Sequence, residues 1–300
     1  MKGVPAMLIR VGCRMELAMA QPTPLIAMLN VHQSCHDSIV QADDLITSST
    51  VSMRGYLDGF GNWCTRMVAP AGPFVIGTDG IFLDQGMPDP VAPSARQLDV
   101  SDLPSEILVY LLGSRYCDTD VLSETAWRLF GAGAADWSRV QDICDHVHRN
   151  VAFDYGQASS TRSASQTMLE GRGVCRDFTH LAISFCRCLN IPTRYCTGYL
   201  SDIGEPEPYP PGDFAAWMEV FLDGQWWVFD PRNNSPRRGR ILVARGRDAA
   251  DVPLVQTFGT HLLTGFEVWT HEMSADDPAL QQCIELPATT SPTHRMKGAH

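Results

Sequence analysis

The residues with the greatest chemical potential lie between Gly171 and Asn233. Cys175 follows a glycine-flanked turn, Gly171-Arg172-Gly173-Val174, and opens a helical pattern running to about Leu189, where Asn190-Ile191-Pro192 ends it. A cysteine at a helix N-terminus meets the positive end of the helix dipole and backbone N–H groups with no partner inside the helix. Both favour the thiolate, the nucleophilic form, and predict a thiol pKa below the ~8.5 of free cysteine. The same N–H groups could stabilise an oxyanion formed at a carbonyl. Two paired strands are predicted beyond the helix, over 214–222 and 225–229, turning at Asp223-Gly224. The first carries Trp217 and Glu219, and the second closes on Asp230-Pro231. The chemistry suggested is acyl transfer through a thiol, which also needs a proton acceptor and a group to orient it.

Three segments, Gly173-Val174-Cys175-Arg176-Asp177-Phe178, Ala216-Trp217-Met218-Glu219-Val220 and Trp226-Trp227-Val228-Phe229-Asp230-Pro231, occur in that order. Together they resemble the transglutaminase-like superfamily of papain-type cysteine enzymes over roughly residues 100–270, and the preceding β region is similar to the N-terminal domain of bacterial members. The resemblance implies a cysteine that attacks an amide carbonyl, a histidine that exchanges the proton and an aspartate that orients the histidine. Cys175 matches the nucleophile and Asp230 the orienting acid, but the histidine position, two residues before Trp217, is Ala215. Alanine exchanges no proton, and general acid–base help is typically worth ~10²–10⁴-fold. The expectation is a thiol enzyme acting on a peptide or side-chain amide, by hydrolysis or by transfer to an amine, with no metal or organic cofactor and a peptide or protein substrate. The alternative is a catalytically impaired relative that binds a peptide or protein in the same place.

Other groups could replace the histidine. His180 lies five positions after Cys175, about 140° around the helix, which suits a buried structural residue better than a base. The position of His261 relative to Cys175 is not readable from sequence. Asp213 and Glu219 are close along the chain. Glu219 alternates onto the strand face of Ala215 and Trp217, so Trp217 and Glu219 are read as substrate-facing. A carboxylate is a poor base for a thiol unless its pKa is raised. Cys144 and His148 share a helix face at i, i+4, but Cys144 belongs to an apolar stripe that favours core packing over metal. The six arginines from Arg232 to Arg247 read as a solvated loop, and the Pro-rich acidic segment 201–213 as a lid or a crossover.

The elements that position these groups fall into an α+β order. Residues 7–95 read as short strands separated by turn signals, among them Asp79-Gly80, which suggests a β-sandwich-like domain. Pro88, Pro90 and Pro93 mark a linker. Helices follow, then an antiparallel sheet on which the nucleophile helix packs, with a last strand over 262–269. The expected division is 1–95 as an N-terminal β domain, 96–272 as the transglutaminase-like core and 273–300 as a mobile tail. The 44% hydrophobic and 19% charged composition excludes disorder throughout, and the net charge of -11 argues against nucleic acid or an anionic membrane as partner. The ten cysteines are scattered and form no Cys-x-x-Cys pair, and Arg10, Arg14 and Glu16 interrupt any apolar leader before Ala18-Met19-Ala20. Free thiols and a cytoplasmic location are expected.

Overall fold

The computed structural model describes residues 6–207, 209 and 212–274. The chain begins with seven strands: β1 (Met7–Met19), β2 (Thr23–Ala27), β3 (Ile39–Gln41), β4 (Ile46–Thr47), β5 (Arg54–Leu57), β6 (Trp63–Ala69) and β7 (Gly72–Asp84). The central segment holds α1 (Thr119–Phe130), α2 (Trp137–Asn150), β8 (Ala152–Phe153), α3 (Ala164–Glu170), β9 (Arg172–Gly173) and α4 (Cys175–Cys188). It continues with β10 (Thr193–Leu200), β11 (Ala215–Leu222), β12 (Gln225–Phe229) and β13 (Arg240–Gly246), and the chain then adds β14 (Val255–Thr257) and β15 (His261–Met273). The fold is α+β, with antiparallel sheets and a small set of helices, as the element order predicts.

The chain divides into two compact units, one from Met1–Gly86 with Val255–His300 and the other from Met87–Leu254. The first contains two antiparallel sheets, β15-β1-β7-β3 with β4 also on β7, and β14-β2-β6-β5. Strand β1 buries every second side chain (Ile9, Val11, Cys13, Met15, Leu17 and Met19), the pattern of a strand with one face on a core.

Three expectations change here. The last strand is not part of the central unit, because β15 pairs antiparallel with β1 from Leu8↔Met273 to Met19↔His261. That long-range partner has no local signal. The boundary also moves from residue 95 to residue 86: the Pro-rich segment is no free linker, since the Asp89 carboxylate is ion-paired with Arg240 and accepts the Arg237 N–H. Asp79-Gly80 makes no turn but continues β7 opposite Gly12 and Val11. The Asp79 carboxylate is satisfied across the sheet by Arg10 at 2.9 Å and the Trp269 indole at 3.0 Å, so a polar pair sits comfortably mid-strand. Residues 275–300 of the expected tail lie outside the described residues.

In the central unit the sheet order is β12-β11-β10-β13, all antiparallel. Helix α4 packs on β10 and β11 and is flanked by α1, α2 and α3. From Asp177 to Cys188 every residue of α4 is buried, the signature of a helix enclosed on all sides. The β10–β13 pairing shifts register at Thr197/Gly198. A Cβ at Gly198 would lie 2.1 Å from the Ile241 carbonyl oxygen, so only glycine fits that close approach.

Candidate active site

The loop that delivers Cys175 is held by short-range geometry. Helix α3 ends on Gly171 at φ 62, and the chain then makes the two-residue parallel ladder Ala152↔Arg172 and Phe153↔Gly173. A Cβ at Gly173 would lie 2.6 Å from Asp177 Oδ2. Asp177, fully buried in the first turn of α4, accepts the Val174 N–H at 2.9 Å and pairs with Arg162 at 3.1 Å. Arg162 is also anchored to Glu170 at 2.9 Å. An acidic group at this position suits the positive helix end and fixes the loop one residue before the thiol.

Cys175 is the first residue of α4 and is half-buried. Its S–H donates to the Phe214 carbonyl oxygen at 3.9 Å, and the Ala216 N–H reaches back to the sulfur. The reason for this contact lies in the sheet. The Ala215 carbonyl points toward β10, where it accepts the Thr197 hydroxyl at 2.9 Å. The polar groups of residues 214 and 216 therefore point to the opposite edge. Strand β12 covers that edge only as far as Met218↔Phe229. Beyond it the sulfur takes the place of a neighbouring strand, directly across from Ala215.

The electrostatics are opposite to the expected activation. Burial is the largest influence on the thiol and Asp213 the next, with Asp230 adding to them. Against these stand the Ala216 N–H and Arg232, and the outcome is a thiol pushed up to about 12. The helix dipole supplies only about half a charge. Burial and two carboxylates outweigh it. Asp213 has its own carboxyl raised by burial and spends one oxygen on the Phe214 N–H at 2.7 Å. Tyr155, half exposed, faces the same group: burial, Asp213 and Cys175 raise its phenol. Arg232 lies over the Phe153 ring at 4.3 Å.

Asp230 is occupied. Oδ1 accepts the Arg232 N–H at 3.2 Å and the Asn233 N–H at 2.9 Å, and Oδ2 accepts the Asn233 amide at 2.8 Å and Arg240 Nη2 at 3.1 Å. A carboxylate offers about four lone-pair sites, and four donors fill them. Arg240 also pairs with Asp89 and lies 4.6 Å over the Trp217 ring. Trp217 is 1% exposed and supports that guanidinium. Glu219 is not brought to Cys175. Its carboxylate binds Arg194 Nε at 2.6 Å, and Arg194 rests on the Trp226 ring at 3.9 Å. The reading of the arginine run as solvated is also overturned: Arg237 and Arg240 have side chains only 6% exposed, Arg237 paired with Asp202 and Glu205 and Arg240 with Asp89 and Asp230.

The substitute histidines are accounted for. His261 belongs to the first unit, where Nδ1 meets the Thr257 hydroxyl at 2.8 Å. His148 Nδ1 meets the Arg232 carbonyl at 2.9 Å, while Cys144 is 1% exposed in the α2 core. His180 is fully buried, its Nε2 accepts the Ala249 N–H at 3.1 Å, and its ring stacks on Tyr116 at 5.1 Å. Burial, then Arg176 and Arg187, hold its imidazole well below the ordinary 6.5. The folded protein therefore refuses a proton that the unfolded chain accepts, and stability falls as pH drops below the ordinary histidine range, by up to about 1.4 kcal/mol per pH unit. Asp43, raised to about 6 by burial, acts with the opposite sign in the same window. Urea midpoints of wild type and His180→Gln between pH 5 and 8 isolate the histidine. The stability of wild type relative to the variant should fall as pH drops below the ordinary histidine range, and parallel curves would contradict this account.

All nine cysteines among the described residues are free thiols. Residues 124–231 match the family profile of the transglutaminase-like superfamily core. This stretch of the central unit is similar to a transglutaminase-like core. A protein from Cytophaga hutchinsonii, whose crystal structure was described as that of a candidate cysteine protease, is 28% identical over 91% of this chain and 93% of its own, with a TM-score of 0.76. This likeness extends across both units. Uncharacterized proteins of Mycobacterium tuberculosis and Mycobacterium bovis are each 30% identical over 127 residues, 38% of this chain and 39% of theirs. A Mycobacterium leprae protein is 38% identical over 108 residues, 33% of this chain and 37% of its own. The matched stretch thus spans less than half the length of these curated relatives. Among the described residues, no helix is long and apolar enough to cross a membrane.

Sequence reasoning singled out Cys175, Ala215 and Asp230 as candidates and gave no role to Arg240, Arg232, Asn233, Asp89 and Asp177, which surround them in the structure. Asp177 had a local signal, an acid in the first turn of the helix that Cys175 opens. Arg240 and Asp89 are 151 residues apart and had none.

Proposed function

We propose that this transglutaminase-like protein holds a peptide or protein segment at the Cys175 site and does not turn amides over at enzymatic rates. The single observation that carries this reading is the Asp230 carboxylate filled by four donors in a chain with alanine at the histidine position. The nucleophile's place is kept and the proton relay is missing. Among the described residues β12 pairs with β11 only as far as Met218↔Phe229, and the stretch of edge beside the sulfur supports an extended peptide as occupant. The description of the Cytophaga relative as a candidate cysteine protease points to the same class of ligand.

Iodoacetamide tests the thiol. A pKa of about 12 leaves roughly one part in 10⁵ as thiolate at pH 7, partly offset by the greater nucleophilicity of a more basic sulfur. Cys175 should therefore alkylate about 100-fold more slowly than free cysteine and accelerate as pH is raised past 9. Bound peptides should slow it further. Wild type and Cys175→Ala should hydrolyse peptide amides equally poorly. A Cys175-dependent turnover near the ~10 s⁻¹ typical of enzymes overturns the proposal.

One observation favours a second reading, an active thiol enzyme with Asp213 as base: its charge is the largest that Cys175 feels, and its carboxyl is raised by burial. Cys175-dependent hydrolysis that disappears in Asp213→Asn selects that reading.

A further inference from the structure

The outer face of the sheet β14-β2-β6-β5 carries an arrangement unrelated to the thiol chemistry. The strand registers place Arg54 directly opposite Arg66, and Arg66 opposite Ile26. The next row along the strands sets Val68 opposite Pro24, and the Phe258 N–H bonds the Pro24 carbonyl at 2.9 Å, which completes that row with an aromatic ring. Both arginines are exposed, as are Val68 at 54% and Phe258 at 60%. These six residues line an open groove of about 530 Å³. Their neighbours Leu25 and Met67 alternate to the other face and are buried, so the groove is the sheet's outward side and no part of its core.

Like charges directly opposite each other destabilise a strand pair. Neither arginine has an acidic partner among the described residues. Asp58, close by along β5, has its carboxylate taken by the Phe60 and Asn62 N–H groups and the Asn62 amide. In a chain of net charge -11, an unneutralised cationic pair beside exposed apolar side chains is an exception with a cost.

We propose that this face docks an extended acidic segment of a partner protein. One carboxylate bridges Arg54 and Arg66, and an aliphatic or aromatic side chain two residues away lies on Val68, Pro24 and Phe258. The spacing suits this occupant. Side chains two apart on an extended peptide are about 6.7 Å apart, the separation of successive rows on the sheet beneath it. Guanidinium groups bind carboxylates by paired, charge-assisted hydrogen bonds, and a carboxylate between them removes the like-charge repulsion. The proposal does not rest on the function of Cys175.

The test uses the full chain and a capped, fluorescein-labelled peptide Gly-Ser-Val-Thr-Glu-Ser-Gly, read by anisotropy, with its Gln counterpart as control. The Glu peptide should bind saturably, more weakly in 0.3 M than in 0.05 M salt, and the Gln peptide at least about tenfold more weakly, as expected for loss of a charge-assisted contact. Arg54→Ala and Arg66→Ala should each lower affinity about tenfold, both being exposed positions where truncation leaves the sheet intact. Val68→Ser should lower affinity without changing the salt dependence. Equal affinity for the two peptides, or no saturation at millimolar peptide, overturns the proposal. So does arginine-dependent binding of inorganic phosphate or phosphatidylserine vesicles in place of the peptide.

Discussion

Ala215→His should turn a nearly inert thiol into one that hydrolyses an activated ester at least about 10²-fold faster than wild type, the lower end of what acid–base help supplies. The geometry favours contact between the new side chain and the sulfur. Cys175 Sγ meets the two backbone groups that flank residue 215, the Phe214 carbonyl and the Ala216 N–H. An imidazole there can take the thiol proton, and the resulting imidazolium beside the sulfur lowers the thiol pKa from its present value of about 12. The gain is placed at the lower end because the orienting half of the relay is not free. Asp230 already accepts from Arg232, Asn233 and Arg240, so the introduced ring lacks the carboxylate that would fix its tautomer. The measurement is the rate of p-nitrophenyl acetate hydrolysis in wild type, Ala215→His and Ala215→His with Cys175→Ala. The increase must vanish in the last. A wild type already as fast as the variant, and dependent on Cys175, would mean that another residue supplies the base.

The parts of the site legible in the sequence are those whose signals are local. A glycine-flanked turn, a cysteine and a helical run placed Cys175 in the first turn of α4, and α4 does begin at that residue. Alternation around Asp223-Gly224 gave β11 and β12 nearly to their observed ends. The same alternation put Ala215, Trp217 and Glu219 on one face, but could not tell what covers it. Arg240 covers Trp217 and Arg194 takes Glu219. Arg194 comes from the adjacent strand β10 and Arg240 from β13 beyond it, so their arrival depends on sheet order and register and not on sequence proximity. The same holds for the thiol pKa. A helix N-terminus is visible in sequence, whereas the burial and the Asp213 carboxylate that override it exist only once the chain is folded. Strand β15 was read as a strand but assigned to the wrong unit, since its partner β1 lies near the other end of the chain.

Arg240→Met should be the most destabilising single change in the central unit outside its apolar core. Among the described residues Arg240 is the one cation shared by Asp89 and Asp230, at 3.1 Å from each, with side-chain exposures of 6%, 13% and 2% for the three residues. Its removal leaves two carboxylates buried near one another without a counter-charge, and breaking a buried ion pair from one side typically costs about 3–5 kcal/mol. Little of this is lost to solvent screening, because none of the three side chains is more than slightly exposed. Methionine keeps an unbranched stem over the Trp217 ring, so the loss reports charge more than packing. Two effects should follow together. Urea unfolding should shift to a lower midpoint with unchanged slope, and the Asp89 segment should open to protease earlier than the rest of the unit, since its side-chain anchors are Arg240 and the Arg237 N–H. The decisive comparison is Arg240→Met combined with Asp89→Asn and Asp230→Asn. If the cost arises from uncompensated charge, the triple variant should regain much of the stability, since neutral amides remove the buried charges that Arg240 had balanced. If the triple variant is no more stable than Arg240→Met, the guanidinium acts chiefly through its packing on Trp217, and Asp230 owes its place to the turn at Arg232 and Asn233 alone.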